Sequence, residues 1–136
     1  MTDDTGRVRQ LRVVVTAEDY DDAVTFYRDV LGLVEEGAFT AEGRRVTILE
    51  AGRATLEITD PVHAAYIDRV EVGKRVAGHV RLAFEVLDAE AASARLADAG
   101  ATVIAAPVRT PWNSLNARLE GPAGLQLTLF QELDAR

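Results

Sequence analysis

The chain has 136 residues, 48% of them hydrophobic, which predicts one globular domain over residues 1–136 with an ordinary core. Fifteen basic and 22 acidic residues give a formal net charge of −7, and the basic residues form no runs, so neither a nucleic acid nor an anionic membrane is expected as partner. The absence of cysteine excludes disulfides and thiolate sites, and only two histidines are present.

The first half of the chain has the pattern of a strand, a helix and further strands. Residues 9–16 (QLRVVVTA) are short and β-branched, with Arg12 on one face of the predicted strand. A helix is predicted from Asp19, a suitable N-cap, to Gly32, which suits a left-handed residue after the last turn. Alternating segments around 38–40, at 45–50 and at 54–59 then predict three antiparallel strands.

Residues 61–78 are mixed in character, and we interpret them as a linker that includes one turn of helix. The earlier pattern then repeats. A strand at 80–86 precedes a helix that begins at Asp88 and ends at Gly100, followed by strands at about 102–106, 115–120 and 125–131. In this repeat Arg81 falls on Arg12, Asp88 on Asp19, and Gly100 on Gly32 within one residue.

The repeat predicts an α+β fold of two β-α-β-β-β modules, at about 8–60 and 79–132. Each module would have its helix on one face of the sheet and polar residues on the other. Two such half-sheets that face each other would form a mixed, cup-shaped sheet. The candidates to line the cup include Arg12, Glu57, Arg81 and Thr128. An alternative that stays open is that these residues are merely solvated sheet surface.

Four segments carry a resemblance to a known family: DYDDAVTFYRDVLGL, TLEIT, AFEVLDAEAASARLADAG and GPAGLQLTLF. Together they resemble the vicinal-oxygen-chelate superfamily, which includes glyoxalase I, bleomycin-resistance binding proteins, fosfomycin-modifying enzymes and extradiol dioxygenases. The resemblance covers nearly the whole chain and implies the fold predicted above. It implies less about function, since this fold hosts many chemistries.

The resemblance also implies where a metal ion would bind in the family's metalloenzymes, which use His and Glu from each module. In this chain those positions fall on Arg12, Glu57, Arg81 and Thr128. A guanidinium has no lone pair to donate and repels a divalent ion, so we predict no metal site and no cofactor. A shifted register would bring His79 to the cup, but one histidine and one glutamate are a poor set of ligands.

If Arg12, Glu57 and Arg81 share one cavity, one carboxylate serves two guanidinium groups, and the surplus positive charge favours an anionic ligand. The alternative is structural: Arg12 pairs with Glu57 across the sheet, and Arg81 pairs with Glu85 or an acidic residue of the other module.

The segment at 110–119 contains the only tryptophan, Trp112, together with Asn113 and Asn116. These side chains are candidates to stack on a flat ligand or close the cup. The alternative is that Trp112 packs against the linker or a partner subunit. In contrast, we predict that Phe26 and Tyr27 belong to the core between helix and sheet.

Three functions remain open. The first is a metal-free protein that binds a small organic ligand, anionic or aromatic, through Arg12, Glu57, Arg81, Trp112, Asn113, Asn116 and Thr128. The second is a glyoxalase-like lyase or isomerase, or another enzyme, that uses Glu57 as a catalytic base. The third is a structural or regulatory dimer. The family resemblance implies a homodimer, and the acidic, polar first residues predict a cytoplasmic protein.

Overall fold

A computed structural model of the chain describes residues 12–13, 15–54, 57 and 60–133. The predicted strands at 9–16 and 54–59 lie partly outside these residues, and the described residues within them have no regular secondary structure. In the described part of the chain, no helix is long and apolar enough to cross a membrane.

The predicted first helix is confirmed and begins at its predicted cap. Helix α1 (Tyr20–Val24) follows Asp19, whose carboxylate accepts a hydrogen bond of 3.0 Å from the backbone N–H of Asp22. The helix continues as a π-helical segment, Thr25–Val30, and Gly32 follows with a φ of +99°. The sequence gives no sign of this wider turn, which is closed by a bond of 2.8 Å from the N–H of Leu31 to the carbonyl of Phe26.

Two strands of the first half form an antiparallel hairpin, β1 (Val34–Ala41) and β2 (Arg44–Glu50). Strand β1 is longer than the predicted segment around 38–40, while β2 matches the predicted 45–50 closely. The turn between them is Glu42-Gly43, and both residues have positive φ, which suits a tight two-residue hairpin connection.

The predicted linker contains a helix of three turns, so the prediction of a single turn was wrong. Helix α2 (Pro61–Glu71) begins after Asp60, whose carboxylate accepts a hydrogen bond of 2.8 Å from the N–H of His63. Pro61 stands in the first turn, where proline is favoured. The inward positions of α2 include Asp68 and Glu71, so the helix lacks the apolar stripe on which recognition of a helix depends.

The second half forms the predicted β-α-β-β-β module. Its elements are β3 (Arg81–Glu85), α3 (Ala89–Asp98), β4 (Thr102–Arg109), β5 (Ser114–Gly121) and β6 (Leu125–Glu132). The strand order is β3-β6-β5-β4, with β3 parallel to β6 and the other neighbours antiparallel. A short 3₁₀ turn, Pro122–Gly124, joins β5 to β6 where a turn was predicted.

The hydrophobic core lies between one face of this four-stranded sheet and two helices. Its buried residues are Phe26, Ala92, Leu96, Ala101, Ala117, Leu119, Leu127 and Leu129. Phe26 comes from the helix of the first half, and Tyr27 packs against the same cluster, so both predicted core residues are confirmed. The first-half helix is therefore held on the sheet of the second half, beside α3.

Gly121 provides a test of this packing, because a methyl group there would lie 2.8 Å from the Tyr27 hydroxyl and 3.2 Å from a Leu127 methyl carbon. Its φ of −104° suits alanine, so Gly121→Ala acts through the clash alone. We expect a loss of about 1–3 kcal/mol in the free energy of unfolding, measured with urea. In a Tyr27→Phe background, which lacks the clashing hydroxyl, the loss should be smaller.

The matched control is Gly78→Ala, where the added methyl would meet no atom within 4 Å. This control should change stability by less than about 0.5 kcal/mol. Equal losses from Gly121→Ala with and without the Tyr27 hydroxyl would contradict the predicted contact.

Candidate functional site

The face of the four-stranded sheet opposite the core is polar. Strand alternation places Ala117, Leu119, Leu127 and Leu129 in the core and directs their neighbours to the other face. The register aligns these polar neighbours: Arg81 lies beside Gln126, and Arg118 beside Thr128. This is the face from which the sequence predicts ligand contacts.

Helix α2 covers this polar face and directs two carboxylates into it. Asp68 and Glu71 are one turn apart on the helix, with relative exposures of 0% and 3%. Between them and the sheet lies Arg118, whose exposure is 0%. The Arg118 guanidinium donates to Asp68 Oδ1 at 2.8 Å and to Glu71 Oε1 at 3.1 and 2.9 Å, through Nε and Nη2. One buried guanidinium thus faces two buried carboxylates, and Arg75 supplies a further cation at Asp68.

Hydrogen bonds extend from Glu71 along β5. Its Oε2 accepts from Asn116 Nδ2 at 2.8 Å, and Asn116 Oδ1 accepts from the Ser114 hydroxyl at 2.7 Å. Ser114 in turn bonds to the Thr110 hydroxyl. Among the described residues, no buried side-chain nitrogen or oxygen lacks a hydrogen-bond partner. The network is therefore complete, which low-dielectric surroundings require of polar groups.

Asp68 also fixes the chain that follows α2. Its Oδ2 accepts from the backbone N–H groups of Val76 and Ala77, at 2.8 and 2.9 Å, and from Arg75 at 3.0 Å. Burial pushes the pKa of Asp68 upward, but these bonds and the one from Arg118 outweigh burial and hold the pKa well below its usual range. Asp68 therefore stays ionised at neutral pH.

Arg81 lies at the edge of the same network but is compensated differently. Its Nη1 donates to the Thr128 hydroxyl at 2.7 Å. Burial lowers the pKa of Arg81, as does the positive charge of Arg118, while the negative charges of Glu71, Asp68 and Glu57 act in the opposite direction. Within the part of the chain that the structure describes, no carboxylate forms an ion pair with Arg81. The predicted alternative of a pair with Glu85 is not observed.

The other residues predicted to contact a ligand lie in two regions, the buried network and the exposed surface. Asn116 and Thr128 lie in the buried network with Arg81, although the sequence suggested that Asn116 flanks an exposed aromatic residue. Arg12 and Glu57 are exposed. Trp112 is 43% exposed in the β4–β5 turn, with its ring centroid 6.3 Å from that of Tyr66 on α2. This contact agrees with the alternative that Trp112 packs against the linker.

Asn113 lies in the same turn, with a φ of +67°. Its side-chain oxygen accepts a hydrogen bond of 2.6 Å from Arg109, so it takes part in the turn rather than in the buried network.

Sequence reasoning missed the three residues at the centre of this network, Asp68, Glu71 and Arg118. A signal was present for Arg118, because it alternates with Ala117 and Leu119 on a predicted strand and so belongs to the polar face. Asp60-Pro61 is also a favourable helix start that would have revealed α2. No pattern in the sequence pairs Arg118 with the two carboxylates some fifty positions away.

Comparison with known proteins identifies the type of domain. The model of the Glyoxalase/Bleomycin resistance protein/Dioxygenase superfamily matches residues 9–129. Among solved structures, TnmS3, an antibiotic binding protein from Streptomyces sp. CB03234, is 23% identical with a TM-score of 0.60, covering 93% of this chain and 98% of its own. A glyoxalase family protein from Bacillus cereus is 19% identical with a TM-score of 0.58, covering 96% and 99%.

A protein of unknown function from Agrobacterium tumefaciens is 22% identical with a TM-score of 0.59, and the match covers 93% of this chain and 98% of that protein. At these identities the structures show a shared fold only. No curated protein matches the sequence.

The residues at the second-module positions where metalloenzymes of this fold would hold a metal do not fit a divalent ion. These positions carry Arg81 and Thr128, which are bonded to each other. The nearby carboxylates, Asp68 and Glu71, accept hydrogen bonds from guanidinium and other N–H donors. In the described ranges, no three His, Asp or Glu side chains are grouped to hold a metal ion. We therefore derive no chemistry through a metal.

The low pKa of Asp68 predicts how stability varies with pH. The unfolded chain binds a proton on this carboxyl near pH 4, whereas the folded chain does so only at lower pH, so the stabilisation exists above pH 4 and disappears below it. We expect Asp68→Asn to cost about 3 kcal/mol at pH 7 and progressively less as the pH falls from 5 to 2. Urea unfolding of both proteins over this range measures the difference.

The control for general acid sensitivity is Leu96→Ala, since Leu96 is buried and does not titrate. The loss in the free energy of unfolding that it causes should not vary with pH. An Asp68→Asn cost that is equal at pH 7 and pH 3 would show that the carboxylate is not held ionised as described.

Proposed function

The chain belongs to the Glyoxalase/Bleomycin resistance protein/Dioxygenase superfamily, and on this premise we propose that it binds a small organic anion without a metal ion, through a cup lined by Arg12, Glu57 and Arg81. In this proposal Arg81 is the principal contact for the anionic group. The protein sequesters its ligand and does no chemistry on it. Members of this superfamily include binding proteins, which is compatible with such a role.

The observation that carries the proposal is the contrast between two neighbouring arginines. Arg118 is fully buried and compensated by two carboxylates of α2. Among the described residues, Arg81 is only partly buried and its side chain donates one hydrogen bond, to a neutral hydroxyl. A guanidinium has five N–H donors, so Arg81 retains donors and positive charge that an external carboxylate can accept in a bidentate manner.

The charges around Arg81 favour a single anion. Glu57 also contributes a negative charge at Arg81, but it is exposed, so water screens it. The buried carboxylates Asp68 and Glu71 are faced by three guanidinium groups, those of Arg75, Arg81 and Arg118, which leaves one positive charge among these five groups. Partial burial strengthens the attraction of that charge for a ligand, because fewer water molecules screen it. The formal net charge of −7 over the whole chain disfavours a polyanion.

Aromatic side chains favour a ligand with a flat ring. Trp112 and Tyr66 are adjacent and partly exposed, and Trp112 with Asn113 forms one end of the β4–β5 turn. Such side chains provide contact area at low entropic cost. The antibiotic binding named for TnmS3 makes an antibiotic a reasonable probe for this chain as well.

The alternative function is catalysis with Glu57 as a base. It is favoured by one observation: Glu57 is exposed, and its negative charge acts on Arg81 to raise a pKa that burial lowers. An arginine beside a carboxylate base can stabilise an enolate or oxyanion. In an enzyme of this kind Glu57→Gln would abolish turnover and preserve binding.

We also propose that the single domain of two modules acts in the cytoplasm as a homodimer. Exposed apolar side chains on the β1–β2 hairpin, namely Val34, Phe39 and Val46, support association. Sedimentation at the mass of one 14.7 kDa chain at all concentrations would contradict the dimer.

The binding proposal is tested by titration calorimetry with 2-naphthoate and its neutral analogue 2-naphthamide. We expect wild-type protein to bind 2-naphthoate more tightly than the amide. Arg81→Met should weaken naphthoate binding by about tenfold or more, the effect of a lost charge-assisted hydrogen bond. The weak binding of the amide should change little.

Arg95→Met is the matched control, since Arg95 lies on α3 at the opposite face of the sheet. Circular dichroism establishes that each variant is folded. The proposal is wrong if wild-type protein does not bind 2-naphthoate more tightly than 2-naphthamide, or if Arg81→Met binds naphthoate as tightly as Arg95→Met.

A further inference from the structure

The Thr128 hydroxyl lies between a buried carboxylate and the proposed ligand-binding arginine. Its oxygen is 2.9 Å from Glu71 Oε1 and 2.7 Å from Arg81 Nη1. A carboxylate can only accept a hydrogen bond and a guanidinium can only donate one. The single hydrogen of the hydroxyl is therefore given to Glu71, and a lone pair of the same oxygen accepts from Arg81.

Glu71 is itself immobilised by charged and polar partners. Oε1 accepts two bonds from Arg118 and one from Thr128, and Oε2 accepts one from Asn116. Glu71, Thr128 and Arg118 have exposures of 3%, 1% and 0%. A chain of bonds thus runs from a fixed carboxylate, through a fixed hydroxyl, to the partly buried guanidinium of Arg81.

We propose that Glu71 and Thr128 are positioning residues for Arg81, which hold its guanidinium plane in one orientation ready for a planar carboxylate. This inference rests on the proposed function and names the acid class of its ligand. Arg81 Nη1 is anchored on the protein side, so its remaining N–H groups form the edge available to a bidentate carboxylate. Because Arg81 is oriented before binding, less side-chain entropy is lost when the ligand arrives.

These hydrogen bonds also limit which ligand groups can bind beside Arg81. The Thr128 hydroxyl gives its hydrogen to Glu71 and one lone pair to Arg81, and at 1% exposure it is not accessible to a ligand N–H group. Hydrogen bonds here come from Arg81 to an acceptor. A carboxylate satisfies this requirement at both oxygens, whereas a primary amide offers Arg81 a single, uncharged acceptor oxygen.

Two substitutions of Thr128 separate positioning from packing. Thr128→Val keeps the branched shape and removes the hydroxyl, while Glu71 retains its bonds to Arg118 and Asn116. Thr128→Ser keeps the hydroxyl. The matched control is Thr110→Val, because Thr110 is the other buried threonine among the described residues and bonds to Ser114 rather than to Arg81.

The first measurement is ¹⁵N NMR of arginine side chains, with Arg81 assigned from the signal lost in Arg81→Met. We expect slow rotation of the Arg81 guanidinium in wild-type protein, Thr128→Ser and Thr110→Val, and fast rotation in Thr128→Val. A merely structural role for Thr128 would not produce this pattern. The second measurement is titration with 2-naphthoate. Its affinity should fall about tenfold in Thr128→Val and stay within about twofold of wild type in Thr128→Ser and Thr110→Val.

The two measurements distinguish a failure of the proposed function from a failure of the positioning role. If wild-type protein binds no naphthoate, the proposed function fails, and the NMR comparison alone decides whether Thr128 positions Arg81. The positioning role is overturned if the Arg81 guanidinium rotates equally slowly in wild type and Thr128→Val, or if both bind naphthoate with equal affinity.

Discussion

A fully buried arginine on the polar face of the sheet is the constraint on which the rest of this structure depends. Arg118 projects from β5 and is fully buried, and an uncompensated buried cation would be strongly unfavourable. Asp68 and Glu71 supply the compensating charges from α2. The helix that connects the two modules is therefore fixed to the sheet of the second one, and Asp68 fixes residues 75–77 in turn.

Buried ion pairs of this kind contribute more to where an element docks than to net stability. The attraction between the charges is largely offset by the loss of their hydration, whereas loss of one partner leaves the other exposed to the full penalty. We infer that the network specifies the position of α2. The apolar core on the opposite face, built on Leu119, Leu127 and Leu129, provides the general drive to fold.

The neighbouring arginines Arg118 and Arg81 have different roles because, among the described residues, only Arg118 of the two forms ion pairs with carboxylates of α2. Arg118 has its charge neutralised by α2 and is closed to ligands. Arg81 is held through Thr128, which is neutral, and so keeps its positive charge. The functional proposal follows from this division, since an arginine retained beside a buried network without a carboxylate of its own is suited to an external acid.

Much of the fold could be predicted from local sequence. The helix starts at Asp19 and Asp88, the left-handed glycines at Gly32 and Gly100, and the alternation of β5 and β6 each depend on a few neighbouring residues. Helix α2 escaped detection because its buried face is ionic, and apolar periodicity does not reveal such a face.

The network around the candidate site could be predicted only in part, for a related reason. Arg81, Asn116 and Thr128 lie on one face of the sheet, as strand alternation predicts, whereas Asp68 and Glu71, which complete the network, come from a distant helix. Pairing between Glu71 and Thr128, or between Asp68 and Arg118, depends on tertiary docking that a single sequence does not encode in any local pattern. The sequence is compatible with contacts of Trp112 to a ligand, to the linker or to a partner subunit. In the structure its ring lies beside that of Tyr66 on α2.

Hydrogen–deuterium exchange of α2, in wild-type protein and in Arg118→Met, tests the central claim most directly. An isolated helix of this length is marginal in water, so slow exchange requires docking. We expect the amides of α2 to be protected in wild-type protein and to exchange about a hundredfold faster in Arg118→Met, while core strand β6 stays protected. Exchange of α2 that is fast in wild-type protein, or unchanged in Arg118→Met, would contradict the account.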